Sequence, residues 1–367
     1  MRAFLFVIKD KGGLINMTNE IIKVGTFFSG IGSPEKALER LKREGHIKDY
    51  ELEFFSEIDK NAIKSYCAIH NVDERLNLGS ITNIKGKDLP YCDLWIGGFP
   101  CQDISCAGKM RGFDFTSSTR SSLGWEMIRL LKEVNKKPKY VIFENVAMIT
   151  SKRFKDTLSL FKKDLINLEY KLYDDILIAS DYGIPQIRKR YFLIAILNNN
   201  NNNKEFNFPE KKELKTSFKD YLDSTVDNKY YLTNNDYKVL ANGNMLFRKY
   251  NNSDILYEID LKKVYNGGVC GVDLHSKFNQ SSHVFSIFGN CPTLTANNTA
   301  DNCKILVGKN MNLRIRKITA LEAFRLMGFD DIDYLRAKVV CSESQLYHQA
   351  GNSIVVNVIY YILKNLL

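Results

Sequence analysis

The chain has 367 residues, more than one small module at about 100–200 residues per domain. Hydrophobic residues make up 44% and charged residues 26%, enough to build a core and to exclude a chain disordered throughout. Lys and Arg number 52 against 42 Asp and Glu, a net charge of +10, which favours a polyanionic partner.

Residues 1–20 read as an N-terminal extension. Lys11-Gly12-Gly13 can be encoded by a bacterial ribosome-binding sequence placed shortly before Met17, so Met17 is the expected start. The apolar stretch Ala3–Ile8 is shorter than a secretory core of roughly 7–15 residues and no small-residue cleavage site follows it, so no export signal is predicted. The longest apolar runs, Tyr140–Phe143 and Tyr191–Leu197, fall far short of the roughly 18 residues of a membrane-spanning helix. The cysteines at 67, 92, 101, 106, 270, 291, 303 and 341 form no Cys-x-x-Cys pair and no Cys/His cluster. Neither a metal site nor a disulfide framework is expected, and reduced thiols in a cytoplasm suit the pattern.

From Ile21 to Leu197 short apolar runs alternate with amphipathic segments. Strands are predicted at 22–28, 52–56, 92–97, 139–143, 173–178 and 190–196, and helices at 34–44, 59–68, 121–134 and 153–167. Such alternation predicts an α/β fold, a doubly wound, mainly parallel sheet covered by helices on both faces. Ser33 is the expected cap of the first helix, with Pro34 where a missing N–H costs nothing. Six asparagines, Asn198 to Asn203, then interrupt the pattern with no apolar face to bury, which marks a domain boundary. Residues 204–310 are rich in Asn, Lys and Tyr with weak periodicity and only short strand candidates. Thr319-x-x-Glu322 has capping-box spacing. The last helix is clearly patterned, with Val355, Val358, Ile359, Ile362, Leu363 and Leu366 on one face. The predicted division is 21–197 with 345–367 as a large cofactor-binding domain and 198–344 as a smaller one.

Phe28-Ser29-Gly30-Ile31-Gly32 leaves a strand and opens a helix, so its glycines permit a tight turn and close approach by a nucleotide-like ligand. Glu57, at the end of the second strand, is placed to accept hydrogen bonds from ribose hydroxyls. The three-glycine dinucleotide fingerprint and a Gly-Lys-Ser/Thr phosphate loop are both missing. S-adenosylmethionine, an adenosine cofactor with no phosphates, remains. Pro100-Cys101-Gln102 ends the third strand at the carboxyl edge, where open sheets bind ligands. Glu144-Asn145-Val146 closes the next strand and Gln186-x-Arg188-x-Arg190 leads into another. A thiol, a carboxyl and two guanidiniums thus converge on one sheet edge.

These motifs, with Arg316-x-Ile318-Thr319, Arg325-Leu326-x-Gly328-Phe329 and Gly351-Asn352-Ser353-Ile354-Val355, run in order along most of the chain. The sequence resembles the cytosine-C5 DNA methyltransferases of bacteria and their phages. The resemblance implies that Cys101 adds to carbon 6 of a cytosine, that Glu144 binds its N3 and amino edge, that Arg190 with Arg188 holds its O2 or a nearby phosphate, and that Asn145 orders the loop carrying Cys101. It implies cofactor contacts at Phe28, Gly30, Gly32, Glu57, Ile58, Ile81, Pro100, Leu123, Asn352 and Ile354. Ser80 stands where family members commonly have an acidic residue, so somewhat weaker cofactor binding is expected.

Further expectations follow from the resemblance. The partner is double-stranded DNA, with the target base flipped out of the stack. Lys109 and Arg111, in a loop after the nucleophile, are expected to contact phosphates. Residues 198–310 take the place of the family's variable target-recognition region. In it Thr293 is expected at the backbone of the flipped nucleotide and Gln280 in the vacated stack, with Asn279, Ser281 and His283 as alternatives for Gln280. A monomer is implied, along with a cognate restriction endonuclease if the enzyme is not solitary. An RNA cytosine methyltransferase and a catalytically silent DNA-binding relative are the competing readings. The sizeable variable region favours duplex DNA, and the intact Cys101, Glu144, Arg188 and Arg190 argue against silence.

Overall fold

The computed structural model describes residues 21–100, 120–198, 205–232, 237–239, 245–249, 252–259, 269–271, 283–296, 303–308 and 314–367. The expected start at Met17 and residues 1–20 lie outside these.

The first strand, β1 (Ile21–Phe27), buries Ile22 on one side and Val24 to Phe27 throughout, as a central strand covered on both faces must. It is followed by α1 (Ser33–Arg43), β2 (Asp49–Ser56), α2 (Lys60–His70), β3 (Leu94–Gly98), α3 (Gly124–Glu133), β4 (Tyr140–Val146), α4 (Lys155–Asn167), β5 (Tyr170–Ile178) and β6 (Lys189–Leu197). Together the six strands form one sheet in the order β2-β1-β3-β4-β6-β5. The β2–β1, β1–β3 and β3–β4 pairs are parallel, whereas β6 runs antiparallel to both β4 and β5. All six predicted strands and all four helices between them are present, and the sheet is mainly parallel.

One local expectation is corrected. Ser33 does not cap α1: it is the first helical residue, and Gly32 takes the cap position in the left-handed conformation with no side-chain bond. Glycine reaches φ +81° without the Cβ penalty that serine would meet, so the turn closes one residue earlier.

Downstream, β7 (Tyr237–Val239), β8 (Met245–Lys249) and β9 (Asn252–Ile259) make an antiparallel sheet. A second sheet orders β10 (Val269–Gly271), β11 (His283–Phe285), β12 (Lys304–Val307) and β13 (Arg314–Lys317) side by side. Four helices follow: α5 (Ala320–Arg325), α6 (Asp331–Val340), α7 (Glu343–Asn352) and α8 (Val356–Leu366). The capping box at α5 forms in both directions, Thr319 Oγ1 accepting from the Glu322 amide and the Glu322 carboxylate from the Thr319 amide. Glu322 also takes both Arg316 guanidinium nitrogens at 2.8 and 2.7 Å, a buried forked pair.

Two hydrophobic layers sandwich the large sheet. On one face Leu38 and Leu41 of α1 pack with Ile359, Ile362 and Leu363 of α8 against Val24, Ile96 and Ile194. On the other, Met127 and Leu131 of α3 and Phe161 and Leu165 of α4 lie over Phe27, Trp95 and Phe143. The chain's last helix therefore returns to the first strand. Phe324 and Met327, from α5 and just beyond it, belong to the same cluster as α8. Among the described residues no helix is long and apolar enough to cross a membrane.

Candidate active site

The carboxyl ends of β1, β2, β3 and β4 open into one cleft of about 280 Å3. Because the strands are parallel there, four successive strand-to-helix turns meet at a single edge.

The β1 turn supplies Phe28 and Gly30, both at positive φ (53° and 56°). Its backbone is pinned from the side: Glu57 Oε2 accepts from the Gly30 amide at 2.8 Å, and Glu57 Oε1 from the amides of Ile58 and Asp59 at 2.7 and 2.9 Å. Glu57 is thus held in place by three backbone amides with lone pairs left for a ligand. Asn77, which no sequence motif marks, clamps this corner. Its Oδ1 accepts from the Glu57 and Gly79 amides at 3.0 and 3.1 Å, and its Nδ2 donates to the Glu57 carbonyl at 3.1 Å. Nothing in an Asn-rich sequence distinguishes this asparagine from the others.

Beneath the turn lies a second unpredicted group. Glu35 is 1% exposed, and its Oε1 accepts from Thr26 Oγ1 and Tyr66 Oη, both at 2.8 Å. Burial pushes its carboxyl above the usual range, opposed in part by these two bonds. A raised carboxyl contributes stability that is complete below the ordinary carboxylate value and is lost as pH rises through the folded one. Glu35→Gln, which cannot ionise, is therefore expected to flatten the fall in stability as pH rises above the ordinary carboxylate range, relative to the parent. Paired urea midpoints over that rise in pH check it, and identical slopes would count against it.

Phe28, Ile58, Ile81, Leu123 and Pro100 give the cleft an apolar lining, beside which stand the polar side chains of Ser56, Asp59 and Ser80. Ile58 is 70% exposed, a large aliphatic side chain left open at the rim beside the buried Ile81. No lysine is among the described lining residues, and its arginines, Arg188 and Arg190, stand with Glu144. An acidic residue beside an apolar slot, without a phosphate cradle, suits an adenosine group that carries no phosphate.

At the β3 and β4 ends the chemistry changes. Glu144 is 9% exposed and lies 3.0 Å through Oε1 from Arg190 Nε. Desolvation raises its pKa, and the Arg190 and Arg188 charges oppose that without cancelling it. A Cβ at Gly98 would stand 3.0 Å from Glu144 Oε2, so glycine keeps room for the carboxyl. Asn145 is buried; its Nδ2 donates to the Phe99 carbonyl at 3.1 Å and its Oδ1 accepts from the Val146 amide at 2.8 Å. It therefore fastens β4 to the chain entering Pro100 and Cys101.

Arg188 is 3% exposed and faces inward as a junction. Nη1 donates to the Leu294 carbonyl at 2.7 Å, and Nη2 to the carbonyls of Gly351 and Ser353 at 3.0 and 2.8 Å. Gln186 adds a donated bond to the Leu326 carbonyl and one accepted from the Leu294 amide, at 2.8 and 3.1 Å. The segment 292–296 is thereby stitched to the large sheet. A Cβ at Gly351 would overlap the Thr295 carbonyl and the Ala296 amide, so only glycine lets this segment lie flush.

Of the sequence-predicted cofactor residues, Phe28, Gly30, Glu57, Ile58, Ile81, Pro100, Leu123 and Asn352 line the cleft. Ile354 lines a smaller adjoining recess. Gly32 lines neither; it backs onto His70, whose Nε2 meets the Ile31 carbonyl at 3.0 Å. Glu144, Arg188 and Arg190 line the cleft as well. Thr293 donates to the carbonyl of Ile187, in the stretch that leads into β6, at 2.5 Å. Cys101, Lys109, Arg111 and Gln280 lie outside the described residues. Among the described residues no group of His, Cys, Asp and Glu could hold a metal ion.

Known proteins with this architecture point one way. The family described as C-5 cytosine-specific DNA methylase matches residues 22–367. The orphan methyltransferase M.SPRI of Bacillus phage SPR is 31% identical, over 94% of this chain and 97% of its own. The type II methyltransferase M.HhaI of Haemophilus parahaemolyticus is 32% identical over 92% of each chain. In fold, the chain is similar to the S. pombe Dnmt2 methyltransferase, with a TM-score of 0.65 at 22% identity over 93% of this chain and 97% of that one.

Proposed function

The chain belongs to the C-5 cytosine-specific DNA methylases, and from that premise we propose that it methylates a flipped-out cytosine at one short sequence of duplex DNA, with S-adenosylmethionine as donor. The observation that carries the reading is that Gly30, Glu57 and Ile58 line the same cleft as Pro100, Glu144 and Arg190. Adenosine recognition and a buried acid beside the residue preceding a cysteine are what methyl transfer to a cytosine ring needs.

When bound, S-adenosylmethionine supplies an electrophilic methyl group. Glu57 takes the ribose hydroxyls, and Ile58, Phe28 and Leu123 take the adenine faces. Carbon 5 of cytosine is a poor nucleophile, so the Cys101 thiolate would add at carbon 6 and make carbon 5 electron-rich enough to take the methyl group; a base then removes the carbon 5 proton and the bond from carbon 6 to sulfur breaks, releasing the Cys101 thiolate. Glu144, whose carboxyl burial pushes above the ordinary carboxylate range, donates in its protonated form to N3 as negative charge develops on the ring. Arg190, with Arg188 behind it, stabilises O2, and Asn145 fixes the approach of the Cys101 loop through the Phe99 carbonyl. Lys109 and Arg111 contact phosphates, and residues 198–344 carry target recognition, with Gln280 and Thr293 at the flipped site. The enzyme acts as a monomer in the cytoplasm of a bacterial or phage-infected cell, either as a solitary methyltransferase or paired with an endonuclease of the same specificity.

Bisulfite sequencing of a methylation-deficient bacterial host expressing the protein tests this. One short motif should be protected, and Cys101→Ser should abolish the protection. Folded protein without any protected motif, or a fully active Cys101→Ser variant, would overturn the reading.

The Ser80 hydroxyl is engaged with Thr82 Oγ1 at 2.8 Å and lines the cleft where a carboxylate is usual in the family. Ser80→Asp is expected to tighten S-adenosylmethionine binding roughly 3–30-fold, the range of one charge-assisted hydrogen bond at a partly exposed site. Calorimetric titration reads it directly, and an unchanged Kd would show that the position does not reach the adenine amino group.

A further inference from the structure

His348 sits on α7, lines the cleft beside Asn352, and uses both ring nitrogens. Nδ1 meets the Ala296 carbonyl at 3.1 Å, and Nε2 meets Asn352 Nδ2 at 3.0 Å. A carbonyl only accepts, so Nδ1 carries the proton; Nε2 is then bare and accepts from the Asn352 amide. The ring is a one-donor, one-acceptor bridge. At one end is the backbone of the 292–296 segment, at the other a side chain on the wall of the cofactor cleft.

We propose that His348 is a positioning residue that couples seating of the recognition segment to the orientation of Asn352, so that duplex DNA and the cofactor strengthen each other's binding through this ring. The inference rests on the function proposed above. With Nδ2 committed to the imidazole, Oδ1 is the Asn352 atom left to accept from a bound cofactor. Movement of Ala296 releases the Nδ1 bond and, with it, the ring that holds that amide. The neighbouring links are of another kind. Arg188 and the close contact at Gly351 tie backbone segments together inside the core. The His348–Asn352 bond is between side chains at the exposed edge of the cleft, where each can reorient at low cost.

By linkage, a factor by which duplex improves cofactor affinity is the factor by which cofactor improves duplex affinity. The test measures the Kd of S-adenosylhomocysteine, which transfers nothing, for the full chain with and without a saturating duplex carrying the motif found by bisulfite sequencing. The parent is expected to show a ratio of about 5-fold or more, within the usual range of coupling. In His348→Leu, which fills the space but makes neither bond, the ratio should fall to within about twofold of unity. His348→Gln, whose amide also offers one donor and one acceptor, should restore most of it. His348→Ser serves in place of the leucine variant should the latter fold poorly. A leucine or serine variant with the parent's ratio, or a glutamine variant no better than leucine, would overturn the proposal, since a purely structural role would lower stability without removing the ratio. A parent with no ratio would overturn it too while leaving the protected motif intact, so failure here is separable from failure of the proposed function.

Discussion

Glu144→Gln is expected to lower the rate of methyl transfer by about 10²–10⁴-fold, the usual worth of one positioned general acid. The affinity for S-adenosylmethionine should change little, because the cofactor contacts proposed above fall on Glu57, Ile58, Phe28 and Leu123 and not on Glu144. Glutamine keeps the shape and one acceptor for Arg190 but has no proton to give N3. The pH profile separates this from a packing effect. Burial holds the Glu144 proton above the ordinary carboxylate range, so the active, protonated form predominates at low pH and is lost as pH rises through the raised value. The parent should therefore show a falling limb on the alkaline side that is missing from the residual activity of the variant. Single-turnover rates with a cytosine-containing duplex across about pH 6 to about pH 9 read both effects. A variant with near-parental rate, or with the same falling limb, would remove Glu144 from acid catalysis.

Most of what positions that carboxyl is legible in the amino-acid sequence. Six apolar runs separated by amphipathic segments leave little choice but a layered α/β sheet, and residues at strand ends must then share one edge. Glu57 and Glu144 follow from that geometry together with the family's motifs, whereas Arg190, at the start of β6, reaches the same edge only because β6 runs antiparallel to β4 and pairs Arg190 with Val146. The antiparallel course of β6 is not legible, because a strand buried on both faces has the same apolar pattern in either direction. The Gly32 cap is hidden because serine and proline imitate a capped helix start, and the positive φ that displaces the cap leaves no signal beyond a glycine. Asn77, Glu35 and His348 are hidden for a different reason. Their importance lies in which groups they meet across 2, 9, 20, 31 or 52 residues of chain, and periodicity carries no information about such partners. In residues 204–310 polar composition and short strands leave no amphipathic period to read.

Arg188→Leu is expected to destabilise the protein by about 3–5 kcal/mol, the cost of removing one member of a buried, hydrogen-bonded charged network. Leucine fills part of the volume but leaves the carbonyls of Leu294, Gly351 and Ser353 without the donors they have at 2.7, 3.0 and 2.8 Å. Those groups belong to the 292–296 segment, proposed above to take part in target recognition, and to the end of α7 and the turn after it. The loss should therefore loosen the contact between target reading and cofactor binding rather than the distant packing of α3 and α4. Arg188→Lys keeps the charge on a single ammonium that cannot span the three carbonyls, and should recover only part of the stability. The charge has a second consequence at Glu144, whose pKa Arg188 holds down against desolvation. In the leucine variant the alkaline limb of the single-turnover rate should therefore move to higher pH, while in the lysine variant it should stay near the parental position. Chemical denaturation and the pH profile thus report two separable functions of one side chain, its three hydrogen bonds and its charge. A leucine variant of parental stability would show that the carbonyls find other donors, and an unmoved limb would show that the Arg188 charge does not reach Glu144.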